Sequence, residues 1–449
     1  MSQSSNETGE FSSPICSMIG EKLYLSETMA DFHFLFETND GEYERVPAHR
    51  NFLIAASDVF EAMFNGSWEE MNEVEIVDSP VAAFKEFLQF FYLGRVKITA
   101  ANVAKVMYLA NKYNLADGLN MCSQFLMNVL TDDNACWCYD LANLFQQQEL
   151  KKYCETVFTI NTKAVLKSTS FLECDREVLG HIIKIDSLNC SEVDIFGACM
   201  SWVEAVSKQA ILTKELIGTH LGDVFHYLCF GSMVNAELAA IVPTYGNLFS
   251  IDEYKDIIQM MASPGFQPTI FKANRRKPFE GIQWDEEATL ECDRLKTESR
   301  NVRSVGHRIK TTFSTNKPIL LGGFRCCSLW YNDYGSDVGL SDIDSTEMKI
   351  VEVAPKTDAA NGVVLYNEIR SDCYLDEQIT LPMPRLIRPG FMYEIQLEQE
   401  QDDFCTRTSL KSEVKMEPDI IVQFHPNSMD EDVDNETGII QKLYFNRIV

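Results

Sequence analysis

The sequence predicts a multidomain α+β protein. An α/β domain leads, an all-α region follows, and an antiparallel β-sandwich closes the chain. Three observations carry this. Period-2 alternation and helical periodicity alternate over the first 130 residues, only helical periodicity runs over 131–262, and short strands separated by turn residues fill the rest. At 449 residues the chain is long enough for two to four domains.

The elements follow in order. Residues 1–14 are polar and acidic, with no basic or apolar signal segment, and read as a disordered tail. "MADFHFLFET" alternates Phe32, Phe34 and Phe36, a strand. "YERVPAHRNFLIAAS" reads as a strand running into a helix, and "SDVFEAMF" as a helix with Ser57 as its cap. "VEIVD" is another short strand. "SPVAAFKEFLQFFYLG" is a punctuated helix: Ser79 caps, Pro80 opens, Gly94 closes, and Phe84, Phe87, Leu88 and Phe91 form the buried stripe. Val103, Val106, Met107 and Ala110 share a face of the next helix, and "DGLNMCSQFLMNVL" adds another. Residues 131–262 are successive amphipathic helices. Residues 263–302 hold three prolines and many charges without clear periodicity; they read as a linker that can lie across a neighbouring domain. From 303 to 449 the pattern is that of a sandwich.

Composition limits function. Net charge is −28, which repels nucleic acid and anionic membrane surfaces; the basic run "KANRRK" at 272–277 is too short to change that. No window holds eighteen apolar residues, so no membrane span is expected. Fourteen cysteines without a framework spacing read as reduced thiols and place the protein in the cytoplasm, with the nucleus open to it. The seven histidines form no zinc spacing with cysteine, and "CWC" and "CC" lack a second half, so neither metal nor other cofactor is expected. "MDEDVDNETG" lacks the glycine and glutamate of a calcium loop. Phosphate-loop, nucleophile-elbow and zincin motifs are absent, and no enzyme activity is expected.

The segments quoted from "ADFHFLF" to "FYLGRV", with "PAHR", "SDVFEAMF" and "LANKYNLADGLNMCSQFL", resemble a BTB (POZ) domain over 15–130. The helical block 131–262 resembles a BACK domain. "KPILLGGF" and "TGIIQKLYFN" make the C-terminus similar to a PHR domain. The order BTB–BACK–PHR is similar to the type-2 and type-6 BTB-domain-containing proteins. Two departures stand out: "RCCSLW" replaces the glycine-rich turn after "GGF", and an insertion-like acidic stretch spans 398–419.

The resemblance implies a non-catalytic substrate adaptor of a cullin-3 ubiquitin ligase. It would dimerise and bind cullin-3 through its BTB domain and hold a protein substrate on the PHR-like domain. At family level such proteins are tied to nervous-system development. The hydrophobic–any–Glu motif of the cullin-binding loop matches Trp68, Glu69 and Glu70. Lys112 and Tyr113 match the end of a helix lining the same groove, and the helices from "TDDNACWCYDLANLF" extend it. The aromatic anchor would desolvate a shallow pocket while the carboxylate takes charge-assisted hydrogen bonds. The plainer reading is that Trp68 packs on its own domain and the glutamates are a solvated face. Met18, Ile19 and Leu23 on a short N-terminal helix are the implied homodimer contacts. His49 in "PAHR" is read as satisfying a local hydrogen bond. "VKME" matches a SUMO-attachment consensus, with Lys415 as acceptor. A BTB-dimerised scaffold that engages no cullin is the alternative; a transcription factor is disfavoured because no basic DNA-binding module is present.

Overall fold

The computed structural model describes residues 15–38, 40–272, 275–277, 289–306, 308–326, 330–331, 346–353, 362–370, 378–399, 404–425 and 440–448. The expected tail at 1–14, the run 429–438 and Cys327, Ser328 and Leu329 of "RCCSLW" lie outside them.

The N-terminal domain comprises α1 (Ile15–Leu23), β1 (Phe32–Glu37), β2 (Tyr43–Ala48), α2 (Arg50–Ala56), α3 (Asp58–Phe64), β3 (Glu73–Glu75), α4 (Val81–Leu93), α5 (Val103–Lys112) and α6 (Ala116–Val129). β1 is central, antiparallel to β2 and parallel to β3. Its alternating Phe32, Phe34 and Phe36 all point into one core with Phe60, Phe64, Phe84, Phe87 and Leu88. Ser57 caps α3 by accepting from the Phe60 N–H at 3.4 Å and donates to the Tyr113 carbonyl at 2.8 Å. His49 is fully bonded. Its Nε2 donates to the Thr28 carbonyl at 2.9 Å, its Nδ1 meets the Tyr92 hydroxyl at 2.9 Å, and its N–H donates to the same hydroxyl. Two sequence expectations shift here. Ser79 does not cap α4: its hydroxyl donates to the Pro80 carbonyl, and Pro80 itself occupies the cap position. Phe91 is half-buried, and Tyr92 takes the fully packed place. Gly94 ends α4 in the left-handed conformation, as its position predicts.

The helices continue as α7 (Ala135–Leu144), α8 (Gln148–Ile160), α9 (Thr162–Val165), α10 (Thr169–Glu173), α11 (Arg176–Lys184), α12 (Glu192–Ser207), α13 (Lys214–His220), α14 (Asn235–Tyr245) and α15 (Ile251–Ala262). Capping boxes at Ser191–Asp194 and Ser250–Glu253 start α12 and α15.

Residues 264–277, where described, form a strap along these helices. The Asp256 carboxylate accepts from the Thr269 and Ile270 N–H groups at 2.8 and 2.9 Å. Phe271 is buried against Phe225 and Phe230. Arg276, with a side chain 5% exposed, donates from Nε to Glu192 at 2.8 Å and from its other nitrogens to the Ile183 and Ile185 carbonyls. Its own N–H donates to Ser232 Oγ at 2.8 Å.

The strands are β4 (Leu290–Asp293), β5 (Leu295–Gly306), β6 (Arg308–Thr315), β7 (Ile319–Cys326), β8 (Trp330–Tyr331), β9 (Thr346–Val353), β10 (Val363–Arg370), β11 (Gln378–Ile387), β12 (Met392–Gln399), β13 (Phe404–Leu410), β14 (Glu413–Met416), β15 (Ile420–His425) and β16 (Ile440–Asn446). A six-stranded sheet, β10-β9-β12-β6-β15-β14, and a four-stranded one, β11-β7-β16-β4, share one apolar core; β5-β13-β8 forms a third. All pairings given are antiparallel. The sheets therefore begin at Leu290, inside the stretch read as linker, because Cys292 fills the core and β4 pairs with β16. The acidic stretch 398–419 likewise holds β13 and β14. Thr406, Thr408 and Val414 supply β-forming residues among its charges.

Two outcomes follow. A β-carbon at Gly20 would stand 1.7 Å from the Tyr92 carbonyl oxygen, so α1 reaches α4 only through glycine. Gly20→Ala should cost about 3 kcal/mol, the upper range for overpacking, read by chemical denaturation. Arg276→Ala leaves Glu192 buried without its cation; we expect a loss of about 3–5 kcal/mol, with Arg276→Met/Glu192→Leu recovering most of it.

Candidate protein-interaction site

The loop between α3 and β3 is built on the aromatic core. The Trp68 N–H donates to the Met63 carbonyl at 2.8 Å, which turns the chain back over α3. The half-buried Trp68 ring then stacks on Phe32 at 5.8 Å and meets Phe64 edge-on at 5.6 Å, with Phe34 and Phe60 at 6.2 and 6.4 Å. Arg50 fastens the outer side. Its guanidinium donates to the carbonyls of Trp68, Glu69 and Met71 and lies 5.2 Å over Phe32 and 5.1 Å over Phe64. The Asn72 carbonyl accepts from the His33 N–H of β1. With its backbone so held, the loop presents Glu69, Glu70 and Met71, all exposed.

Lys112 and Tyr113 part company. Lys112 is half-buried and donates to Asp78 at 2.7 Å, where Tyr108 donates at 2.6 Å. Burial opposes ionisation of Asp78, but these two hydrogen bonds outweigh it and hold the carboxyl below its usual value. Tyr113 is 0% exposed. Its ring stacks on Phe60 at 4.3 Å and on Phe87 at 5.4 Å, and its hydroxyl has no hydrogen-bond partner among the described residues. The expectation that Tyr113 lines a groove is thus corrected: the side chain is core and offers a partner no surface.

The N-terminal helix also divides. Met18 and Ile19 are 62% and 46% exposed, and Ile15 joins them at 59%. Leu23 is half-buried against the aromatic core, so it anchors α1 to its own domain and is no free dimer contact.

The BTB/POZ domain model matches residues 21–130, and the BACK model (BTB And C-terminal Kelch) matches 135–219. The chain carries a BTB/POZ domain followed by a BACK domain. Among similar proteins is BTB/POZ domain-containing protein 6 of Mus musculus, 35% identical over 188 residues, which are 42% of this chain and 35% of that protein. BTB/POZ domain-containing protein 3 of Homo sapiens is 26% identical over 326 residues, 71% of this chain and 59% of that protein. The chain thus spans roughly a third to three-fifths of the length of these relatives. The solved BTB (Tramtrack and Bric a brac) domain of human Gigaxonin is 20% identical over 27% of this chain and 98% of its own, with a TM-score of 0.22. Domain order and the C-terminal sheets are consistent with a BTB–BACK–PHR protein.

A BTB–BACK pair suggests an adaptor or interaction protein, and the BTB domain suggests dimerisation and protein partners. Among the described residues no three histidines, cysteines or carboxylates gather as a metal site would need, and no helix is long and apolar enough to cross a membrane. Lys415 is exposed on β14, 3.7 Å from Glu413. Three residues of the BTB site escaped sequence reading. Arg50 was in view within "PAHR", but its reach to the 68–71 carbonyls has no local signal. Asp78 and Tyr108 lie 34 and 4 positions from Lys112 and meet it only in the fold.

Asp78→Asn should release Lys112 at a cost within about 1 kcal/mol, since the pair is partly screened. Because the folded carboxyl titrates low, the contribution is complete above the unfolded value of about 3.9. It disappears as pH falls through the folded value. Stability curves of the two proteins between neutral and acid pH should therefore converge.

Proposed function

We propose that this chain is a non-catalytic adaptor that recruits a protein substrate to a cullin-3 RING ubiquitin ligase. Its BTB domain engages cullin-3 and dimerises, and its C-terminal sheets hold the substrate. The observation that supports this best is the pinned loop: Arg50 and the Trp68 ring fix a turn on which Glu70 and Met71 are both exposed. A rigid turn loses little conformational entropy on binding, and an exposed carboxylate beside an apolar side chain suits a helical partner with basic groups. In this reading Trp68 shapes the loop from beneath, and Lys112 supplies part of the neighbouring surface. The sheets' substrate is a protein of unspecified identity, and the setting is the cytoplasm, with access to the nucleus. Cys122, Cys138, Cys154 and Cys199 are buried thiols outside any disulfide, in keeping with a reducing compartment.

Trp68→Ala would disturb the core as well as the loop, so Glu70→Lys with Met71→Asp is the cleaner probe. We expect at least roughly tenfold weaker binding of an N-terminal cullin-3 fragment by calorimetry, with thermal unfolding unchanged. Binding at wild-type strength by the folded variant would remove the cullin assignment. The second reading, a dimeric scaffold without a cullin, is favoured by the Trp68 ring being engaged within its own domain.

The exposed Ile15, Met18 and Ile19 support a homodimer through α1. Met18→Asp/Ile19→Asp should halve the mass seen by light scattering at micromolar concentration while Gly20 keeps α1 seated.

A further inference from the structure

A further arginine paired with glutamate stands in the C-terminal sheets, half-buried at the turn between β11 and β12. Arg388 donates from Nε to Glu352 at 3.3 Å and from Nη2 to the other carboxylate oxygen. Its N–H donates to the Tyr393 hydroxyl at 2.8 Å, and that hydroxyl donates to Glu352 at 2.8 Å. The guanidinium also lies 4.3 Å over Phe391. Pro389 and Gly390 complete the turn, Gly390 with φ +80°. With both charges and the tyrosine mutually satisfied, this turn is a stiff knob.

The knob meets the helices. A β-carbon on Gly390 would stand 3.1 Å from the Asn128 carbonyl oxygen at the end of α6. Glycine is therefore required twice, for its left-handed backbone and for its close approach. Tyr153 of α8, 1% exposed, lies near enough to feel Arg388, Tyr393 and Glu352. Its hydroxyl has no hydrogen-bond partner among the described residues, so the ring contributes packing alone. From the other direction, the Arg276 strap fixes where the chain leaves the helices. Lys277 and Thr289 are twelve residues apart, a span that reaches at most about 40 Å and would by itself leave the sheets free to swing.

We propose that the 388–391 turn, seated on Asn128 at the end of α6 and beside Tyr153 of α8, latches the C-terminal sheets to these helices as one rigid platform. Anything held on the sheets then keeps a fixed position relative to those helices. The idea is independent of what the sheets bind and of whether a cullin is engaged.

Small-angle scattering of the full chain tests it with one variant on each side of the contact. Gly390→Val and Tyr153→Ala should each enlarge the maximum dimension and require an ensemble of sheet positions, with circular dichroism unchanged. Tyr153→Phe, which removes only the unbonded hydroxyl, should superpose on the wild type. A wild-type profile that already needs such an ensemble would overturn the latch. So would folded Gly390→Val or Tyr153→Ala protein with wild-type scattering.

Discussion

The aromatic cluster around Phe60 is the constraint on which the N-terminal domain depends. Phe60 touches Phe34, Phe64, Trp68, Phe91 and Tyr113, and these rings come from β1, α3, the loop after it, α4 and the end of α5. Each ring pair adds about 0.5–1.5 kcal/mol beyond the area it buries. More important here is geometry. A ring shared among five elements leaves none of them free to shift alone, so the 65–72 turn inherits the rigidity of the core beneath it. Trp68 is where the two meet: it belongs to the cluster and also sets the position of Glu70.

Buried arginine–glutamate pairs do comparable work farther along the chain. Arg276–Glu192 ties the strap to α12, and Arg388–Glu352 stiffens a turn of the sheets. Neither pair is strong evidence of net stability, because desolvation offsets much of the attraction. Their value is directional. A planar guanidinium held by a carboxylate, with backbone carbonyls beside it at Arg276 and the Phe391 ring beside it at Arg388, has one satisfactory pose, which an apolar contact does not impose. In both places the arginine fixes an irregular segment whose own backbone has few ladder partners.

Much of the fold was legible in local pattern. The Phe32-Phe34-Phe36 alternation, the Ser57 cap and the Gly94 exit are short-range signals, and each appears where its spacing places it. Ser79 misled because serine before proline has two local options, and the hydroxyl took the carbonyl beside it. The linker misled for a different reason. Prolines and charges without periodicity describe a segment whose partners are distant: Arg276 finds Glu192 across 84 positions, and β4 finds β16 across some 150. The acidic stretch 398–419 concealed two strands because, among its described residues, buried Leu410 and Met416 and the half-buried Val414 alternate with exposed Lys411, Glu413, Lys415 and Glu417.

The sequence by itself determined the order of an α/β domain, a helical region and antiparallel sheets, and the residues that would gather at one loop, since periodicity, caps and motif spacing are all local. The tertiary structure alone decided what those residues can offer. It drew the Tyr113 ring into the core, placed Leu23 on the inner side of α1, engaged the Trp68 ring with four phenylalanines, and left Glu70, Met71, Met18 and Ile19 facing solvent. Exposure depends on which distant elements pack against a side chain, and neighbours along the chain carry no record of that.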